Sequence, residues 1–478
     1  MELRRTRLSE IDSTIVKLQL QLKKLERERC AVTKSLTFPV LALPVEITSK
    51  IFIECLPDTP REPSPYYAPL LLSSICKKWR NITLSLPRLW SSWAFSVEDD
   101  MSMAFRRSLM ECWLSRSQNH PLSIRLHHRC GSIPWFDDDF PWARRSADAS
   151  IEIICKYSRQ WKNIEINLPI PTLKVLSQFG PKDDLPLLSH LVLGSAEYDS
   201  QAASPITMFK AAHRLQSVHL LFEGGSLISN LPLVSLPWAQ LTSFSGTMFS
   251  IAECVFVLCQ TPALVDCIFH VCITDADDYY ATVPLAEPML QLKSLKLITT
   301  EGTEPIGVLR RVTLPGLVTL SLEFIDSPTE RFLASFLHRS SCSLLHFSCG
   351  FVNPILFRCL RIMPTLSTLE IRDSSHKEIA GLIRELEDDP DAVPYLESLT
   401  ILCQKYALHD GDFPFGTLLC MLFARVSTEG RPGLRCFKLI WLTSLQPRPP
   451  NFEELIGYRY LVQKGIDIYL GSPKCSWI

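Results

Sequence analysis

The chain has 478 residues, 46% of them hydrophobic and 21% charged, and 49 Lys and Arg against 50 Asp and Glu leave a net charge of -1. At roughly 150 residues per domain, this length calls for about three globular units or one elongated repeat array. The charge balance argues against a nucleic-acid partner or a polybasic membrane surface, and the apolar content excludes wholesale disorder.

Residues 1–37 form the first predicted element. Leu8, Ile11, Ile15, Leu18, Leu22, Leu25, Val32 and Leu36 recur at alternating spacings of three and four, with Arg29 interrupting the seam. That is a heptad stripe on an amphipathic helix. It can dock on the chain's own body or pair with another copy through residues 8–36.

Residues 38–93 read as a small all-helical module. Phe38-Pro39 stops the first helix, because a proline disfavours helical geometry in the residue before it. A second helix opens at Leu43-Pro44 and places Ile47, Ile51 and Cys55 on one face, with Phe52 and Leu56 beside them. After a proline-rich break from Pro57 to Pro65, a continuous helix is predicted over 70–82, with Leu72, Ile75, Cys76 and Trp79 on a common stripe. Leu-Pro-x-Glu-Ile, Ile51-Phe52 and Ile75-Cys76-Lys77-x-Trp79-Arg80, followed by Leu84-Ser85-Leu86-Pro87-Arg88-Leu89-Trp90, resemble an F-box. The preceding charged helix and the proline-rich insertion give the layout a likeness to F-box proteins of mushroom-forming fungi. The resemblance implies that Leu43, Pro44, Ile47, Ile51, Ile75, Cys76 and Trp79 contact a Skp adaptor and, through it, a cullin.

Residues 94–160 are expected to be irregular first repeats or a cap. From Trp161 onward one phrase recurs: an apolar residue, two variable ones, an apolar residue, one variable, an apolar residue. It runs from Trp161-Ile164-Ile166 and Leu188-Leu191-Leu193 through to Leu434-Phe437-Leu439, and most intervals between leading positions fall between 22 and 30 residues. Gly246 takes the last apolar place in one phrase. Pro186, Pro262, Pro315, Pro364, Pro394 and Pro432 stand two residues before a leading position, where they halt a helix and start a strand. Helix-length apolar segments such as Ile251 to Cys259 and Ile379 to Leu386 lie between phrases. The predicted fold class is therefore α/β: the N-terminal helix, the helical module, then over 161–478 a horseshoe of strand and helix units. This last part resembles the irregular leucine-rich repeats that often follow an F-box. Phe452 to Val462 and the alternating Ile466, Ile468 and Leu470 read as its closing helix and strand.

Motifs for catalysis are missing from the sequence: no phosphate-binding glycine loop, nucleophile elbow or zinc-protease helix occurs. His338, Cys342, His346 and Cys349 are the nearest approach to a metal cluster, but their spacing matches no strong zinc pattern. His127, His128 and Cys130 are read as surface or loop residues, and the acidic groups 137–139, 275–278 and 387–389 as solvated turns. No cofactor is expected. The 17 cysteines, with no Cys-x-x-Cys pair, read as reduced thiols, and no run of about 18 apolar residues marks a membrane span. A soluble protein of the cytoplasm or nucleus is expected.

Alternation along the strands puts small, mostly neutral residues on the outward face. His190, His219, Lys296, His346 and Glu370 are its candidate substrate contacts. Taken with the resemblance, the expected function is the substrate-recognition subunit of an SCF-type cullin-RING ubiquitin ligase, non-catalytic in itself, which holds an unidentified protein substrate. The alternative is a protein-binding scaffold that acts outside any ligase.

Overall fold

The computed structural model describes residues 2–36, 40–97, 103–127, 141–179, 184–195, 205–222, 234–272, 287–299, 306–323, 325, 327–350, 352–372, 375–403, 413–426, 433–442 and 448–478. They divide into two compact units, one of Met1–Thr59 with Pro63–Trp90 and one of Pro60–Glu62 with Ser91–Ile478. His128, Cys130, Pro432 and the acidic groups 137–139 and 275–278 lie outside the described residues.

The first unit is helical: α1 (Glu2–Leu36), α2 (Val45–Glu54), α3 (Leu70–Ile75) and α4 (Lys77–Ser85). Its core is small. Phe52 from α2, Leu72 from α3, and Ile82 and Thr83 from α4 are buried with Leu89 and Trp90, which follow α4 in a single 3-10 turn. Trp90 Nε1 donates to the Thr83 carbonyl at 3.0 Å and so ties that turn back to α4.

The continuous helix expected over 70–82 is not present. Cys76 interrupts it in extended geometry, φ -157° and ψ 167°, and its thiol accepts the Trp79 amide at 3.4 Å as the N-cap of α4. This break undoes the expected common stripe: Leu72 turns into the core whereas Ile75 faces outward. Cysteine at this position does a job that serine or aspartate usually performs.

The second unit is built on one sheet in strict sequence order: β1 (Ser92–Ser96), β2 (Leu122–His127), β3 (Trp161–Asn167), β4 (His190–Ser195), β5 (Ser217–Phe222), β6 (Ser243–Phe249), β7 (Asp266–Val271), β8 (Ser294–Thr299), β9 (Thr319–Leu322), β10 (His346–Cys349), β11 (Thr368–Arg372), β12 (Ser398–Cys403), β13 (Cys436–Trp441), β14 (Asp467–Ser472) and β15 (Cys475–Ser476). All neighbours pair in parallel except β14 and β15. Helices fill most connections: α5 (Met103–Ser117), α6 (Pro141–Cys155), α7 (Ile170–Phe179), α8 (Ile251–Gln260), α9 (Ile306–Leu309), α10 (Ser327–Ser340), α11 (Pro354–Arg361), α12 (His376–Asp388), α13 (Phe415–Val426) and α14 (Phe452–Gln463). Consecutive helices pack on one another, as α5 does on α6, α10 on α11 and α13 on α14. Parallel strands with a returning helix layer in sequence order make a solenoid-like α/β fold.

Each leading apolar residue of the repeated phrase is buried, and the reason for the prolines is visible. Leu188, Leu264, Leu317, Leu366 and Leu396 each donate their amide to the carbonyl three residues back, at 3.1–3.3 Å. Pro186, Pro262, Pro315, Pro364 and Pro394 occupy the second position of those turns, where the fixed φ of proline is favoured.

The sheet begins two strands before Trp161, so residues within 94–160 carry the same architecture. A register shift between Leu122 and Ser123 pairs Leu122 directly with Trp161, and the spacing Leu122-Ile124-Leu126 therefore departs from the phrase. Gly246 also has a physical account. A Cβ there would stand 2.6 Å from the ring of Phe249, which is fully buried and fills the vacant inward place across a second register shift.

The sheet's first edge is partly covered, because Ala94 N of β1 donates to the Arg61 carbonyl at 2.9 Å. At the other end β15 turns back, and Trp477 lies 5.1 Å from Trp441, ring centroid to ring centroid. Both devices blunt edges that would otherwise invite further pairing. Glu387 and Asp388, expected in a loop, occupy the last turn of α12, while Asp389 caps that helix and pairs with Arg361 at 2.9 Å. No described helix is long and apolar enough to cross a membrane.

Candidate functional site

Two surfaces gather the residues singled out from the sequence. The first belongs to the helical unit. On α2, Ile47 and Ile51 are one turn apart and both about 45% exposed, with Cys55 exposed one turn further on. Ile75 at the end of α3 is exposed too, as is Leu71 one turn before it. A small module normally hides its isoleucines, and these remain outside although its core is already filled by Phe52, Leu72, Ile82 and Trp90. Pro44 is exposed at the N-cap of α2, and Leu43 is half-buried. Cys76 and Trp79 face the module's interior: the first caps α4, and the second packs on Phe52 with ring centroids 4.9 Å apart. Of the seven expected contacts, Ile47, Ile51 and Ile75 offer apolar surface, whereas Cys76 and Trp79 shape the support beneath them.

The second surface is the outward face of the sheet. Parallel register lines up one row of alternate residues across β2 to β13: Arg125, Glu165, Val192, His219, Ser245, Ile268, Lys296, Ser321, Ser348, Glu370, Thr400 and Lys438. Charge concentrates at two places along it.

Near the start, Arg125 Nε bonds Glu165 Oε2 at 2.6 Å. His219 is held below its ordinary pKa by burial first and then by His190, with Glu165 acting the other way. His190 itself sits 2.8 Å from the Ser189 hydroxyl.

Further along, Lys296 and Glu370 stand three strands apart in the row, about 14 Å at the usual strand spacing. Burial is the main cause of the lowered Lys296 pKa, and Arg372 adds to it, against the pull of Glu323 and Glu370. Arg372 Nε pairs with Glu370 Oε1 at 2.7 Å. Between Lys296 and Glu370 lie Ser321 and Ser348, which are buried, and the Ser348 hydroxyl has no hydrogen-bond partner. An ammonium, two carboxylates and a guanidinium thus gather along this stretch.

Of the five residues expected on this face, His190 and His219 stand on one strand pair, Lys296 and Glu370 share a row three strands apart, and His346 is exposed one row away from them. Arg125, Glu165, His270, Glu323 and Arg372 were not expected. Glu165 occupies an outward place in the first phrase and was available from period-two alternation, as was Arg372 two residues beyond Glu370. Arg125 required recognition of β2. The His338, Cys342, His346 and Cys349 set, whose spacing fits no zinc pattern, is divided by the sheet, with His346 exposed and Cys349 buried. No group of three or more metal-ligating side chains occurs among the described residues.

No protein-family model matches the chain, and no curated protein matches it either. Among solved structures the chain is similar to a protein from Bacteroides fragilis determined as a structural-genomics target. The identity is 12% and the TM-score 0.32, over 69% of this chain and 83% of that one.

Proposed function

We propose that this chain is a substrate-recruiting subunit of an SCF-type cullin-RING ubiquitin ligase, with its helical module acting as an F-box that docks a Skp adaptor and its repeats acting as leucine-rich repeats. The observation that carries the reading is the exposure of Ile47, Ile51 and Ile75 on a module whose core is complete without them. Burying an aliphatic side chain of this size contributes about 1.5–3 kcal/mol, so three such anchors supply a useful share of a docking energy. The Leu43-Pro44 start and the Ile75-Cys76-Lys77-x-Trp79 order support the same partner by resemblance.

In this reading the chain performs no chemistry. The outward sheet row holds a protein substrate in the neighbourhood of the charged conjugating enzyme, and the rate gain comes from proximity. The row's charged stretch from β8 to β11 is the surface offered to the substrate.

The test uses the full chain and a purified Skp adaptor. Ile47→Asp with Ile51→Asp should abolish co-purification while leaving the melting profile unchanged. Full binding by that double variant would reject the docking surface. Depletion of the chain in cells should raise the abundance of proteins captured through the sheet face, and unchanged abundance would argue against a ligase.

A further inference from the structure

Helix α1 runs 35 residues, about 52 Å at the α-helical rise, yet every residue from Arg4 to Val32 is exposed. It has no extended packing against any other described element. Left alone, such a helix keeps a row of large apolar side chains in water, which a partner would cover. The exposed apolar side chains are arranged for a helical partner. Leu8, Ile15 and Leu22 take the first position of the heptad and Ile11, Leu18, Leu25 and Val32 the fourth.

We propose that α1 pairs with α1 of a second copy of this chain as a parallel two-stranded coiled coil. The charges flanking the seam are compatible with this pairing, and the inclusion of Val32 in the seam together with the Arg29 layer sets its direction. In the parallel arrangement the residue before each first-position residue faces the one five places on in the other helix. That brings Arg7 against Asp12 of the second copy, and the remaining flanking pairs, Thr14 with Gln19, Gln21 with Glu26, and Glu28 with Thr33, contain no like charges. Arg29, which interrupts the apolar seam, meets its own counterpart with Glu28 of each helix alongside. A single charged layer of this kind favours a two-stranded coil in register over larger bundles.

Two antiparallel registers keep the apolar seam matched: one sets Asp12 against Glu26, a like-charge contact, and opposes Arg29 to Ile11, whereas the other, a heptad shorter, brings Arg7 to Glu28 but sets Arg29 against Arg4 and leaves Val32 outside the seam. Both separate Arg7 from Asp12. Val16 and Leu20 are equally exposed but lie off the seam, so exposure alone does not define the interface. Paired chains would carry two copies of the helical module, which raises the avidity for any partner that is itself multivalent.

The experiment is sedimentation equilibrium on the full chain at micromolar concentration. The expected result is a species of twice the 54.3 kDa chain mass. Ile15→Lys with Leu22→Lys should convert it to the single-chain mass with the far-UV signal of the remaining fold retained, whereas Leu20→Lys should leave it paired. Arg7→Asp should raise the dissociation constant by roughly 2- to 30-fold, the range set by two symmetry-related surface ion pairs, and adding Asp12→Arg should restore it. A wild-type chain that sediments as a monomer would overturn the proposal, as would pairing that survives the two seam substitutions. Indifference to the charge swap would overturn the parallel direction.

Discussion

The ring of Trp79 meets the ring of Phe52 edge-on, with centroids 4.9 Å apart and planes 65° apart. This contact joins α4 to α2 and supports the surface on which Ile47 and Ile51 stand. Trp79→Ala should therefore destabilise the helical unit by about 3 kcal/mol, in the range of large aromatic truncations. Ile47→Asp, on the exposed face, should change stability by less than about 0.5 kcal/mol. Urea denaturation followed by tryptophan fluorescence separates the two. Equal losses would mean that Ile47 belongs to the core after all.

The strand positions were legible because an inward side chain must be apolar wherever the sheet carries a second layer. The leading residues of the phrase, from Trp161 to Leu434, are at most 3% exposed, which is why so few symbols per repeat located the strands. Strand β2 escaped because a one-residue register shift changes the spacing without changing the burial of Leu122. The break at Cys76 escaped for a different reason. Neither proline nor glycine marks it, and a thiol is a weak capping group that carries no usual signal. The outward charges were legible only in part, since Lys296 and Glu370 are 74 positions apart in the chain and only register brings them into one row.

Gly246 and Phe249 exchange roles across the irregularity in β6. Any side chain at Gly246 meets a ring held on all sides, so Gly246→Val should cost about 2 kcal/mol, as overpacked cores do. Shortening the obstacle as well, in Gly246→Val with Phe249→Ala, should cost less than the sum of the single changes. Strict additivity in a double-mutant cycle would show that the ring is not the obstacle.

Buried Arg425 on α13 spends its guanidinium on the carbonyls that end the preceding helix. Nε and Nη2 reach Leu386 O at 3.2 and 3.1 Å, and Nη1 reaches Val393 O at 3.3 Å. Arg339 on α10 treats α9 the same way, with Nη2 donating to Leu309 O at 2.7 Å and Val312 O at 2.8 Å. Each arginine closes a carbonyl in the last turn of the preceding helix, Leu386 of α12 or Leu309 of α9, and reaches one more carbonyl just beyond that helix. Arg425→Met keeps much of the side chain's bulk but leaves the Leu386 carbonyl buried without its donor, while Val393 O keeps the Leu396 amide, at a cost of about 1–3 kcal/mol. Hydrogen exchange should then rise first at the C-terminal turn of α12. Unchanged protection there would refute the capping role.

The cysteines should divide by burial when the native protein meets an alkylating reagent. Burial pushes the thiols of Cys155, Cys359 and Cys403 up to about 12, so almost no thiolate is present near neutral pH, whereas Cys55, Cys112, Cys420 and Cys475 are exposed. Mass spectrometry after brief iodoacetamide treatment should find the second group modified and the first untouched until denaturant is added. Early modification of Cys359 would mean that the α11 layer opens readily.

The two partly buried histidines of the outward face give the sheet a pH dependence whose sign follows from their surroundings. Burial lowers the pKa of His270 most, Lys296 lowers it further and Glu323 opposes both; His219 is lowered by burial and then His190, against Glu165. The unfolded chain takes up a proton on these side chains as pH falls through about 6.5, before the folded protein does. Over that window the unfolded state binds more protons, so stability is fully present above it and is lost as pH falls toward the folded values. His219→Gln with His270→Gln removes both differences and should flatten the decline in urea midpoint between about pH 7.5 and 5.5 relative to the wild type. Parallel slopes for variant and wild type would place the acid sensitivity elsewhere, and a steeper slope in the variant would reverse the sign argued for these two side chains.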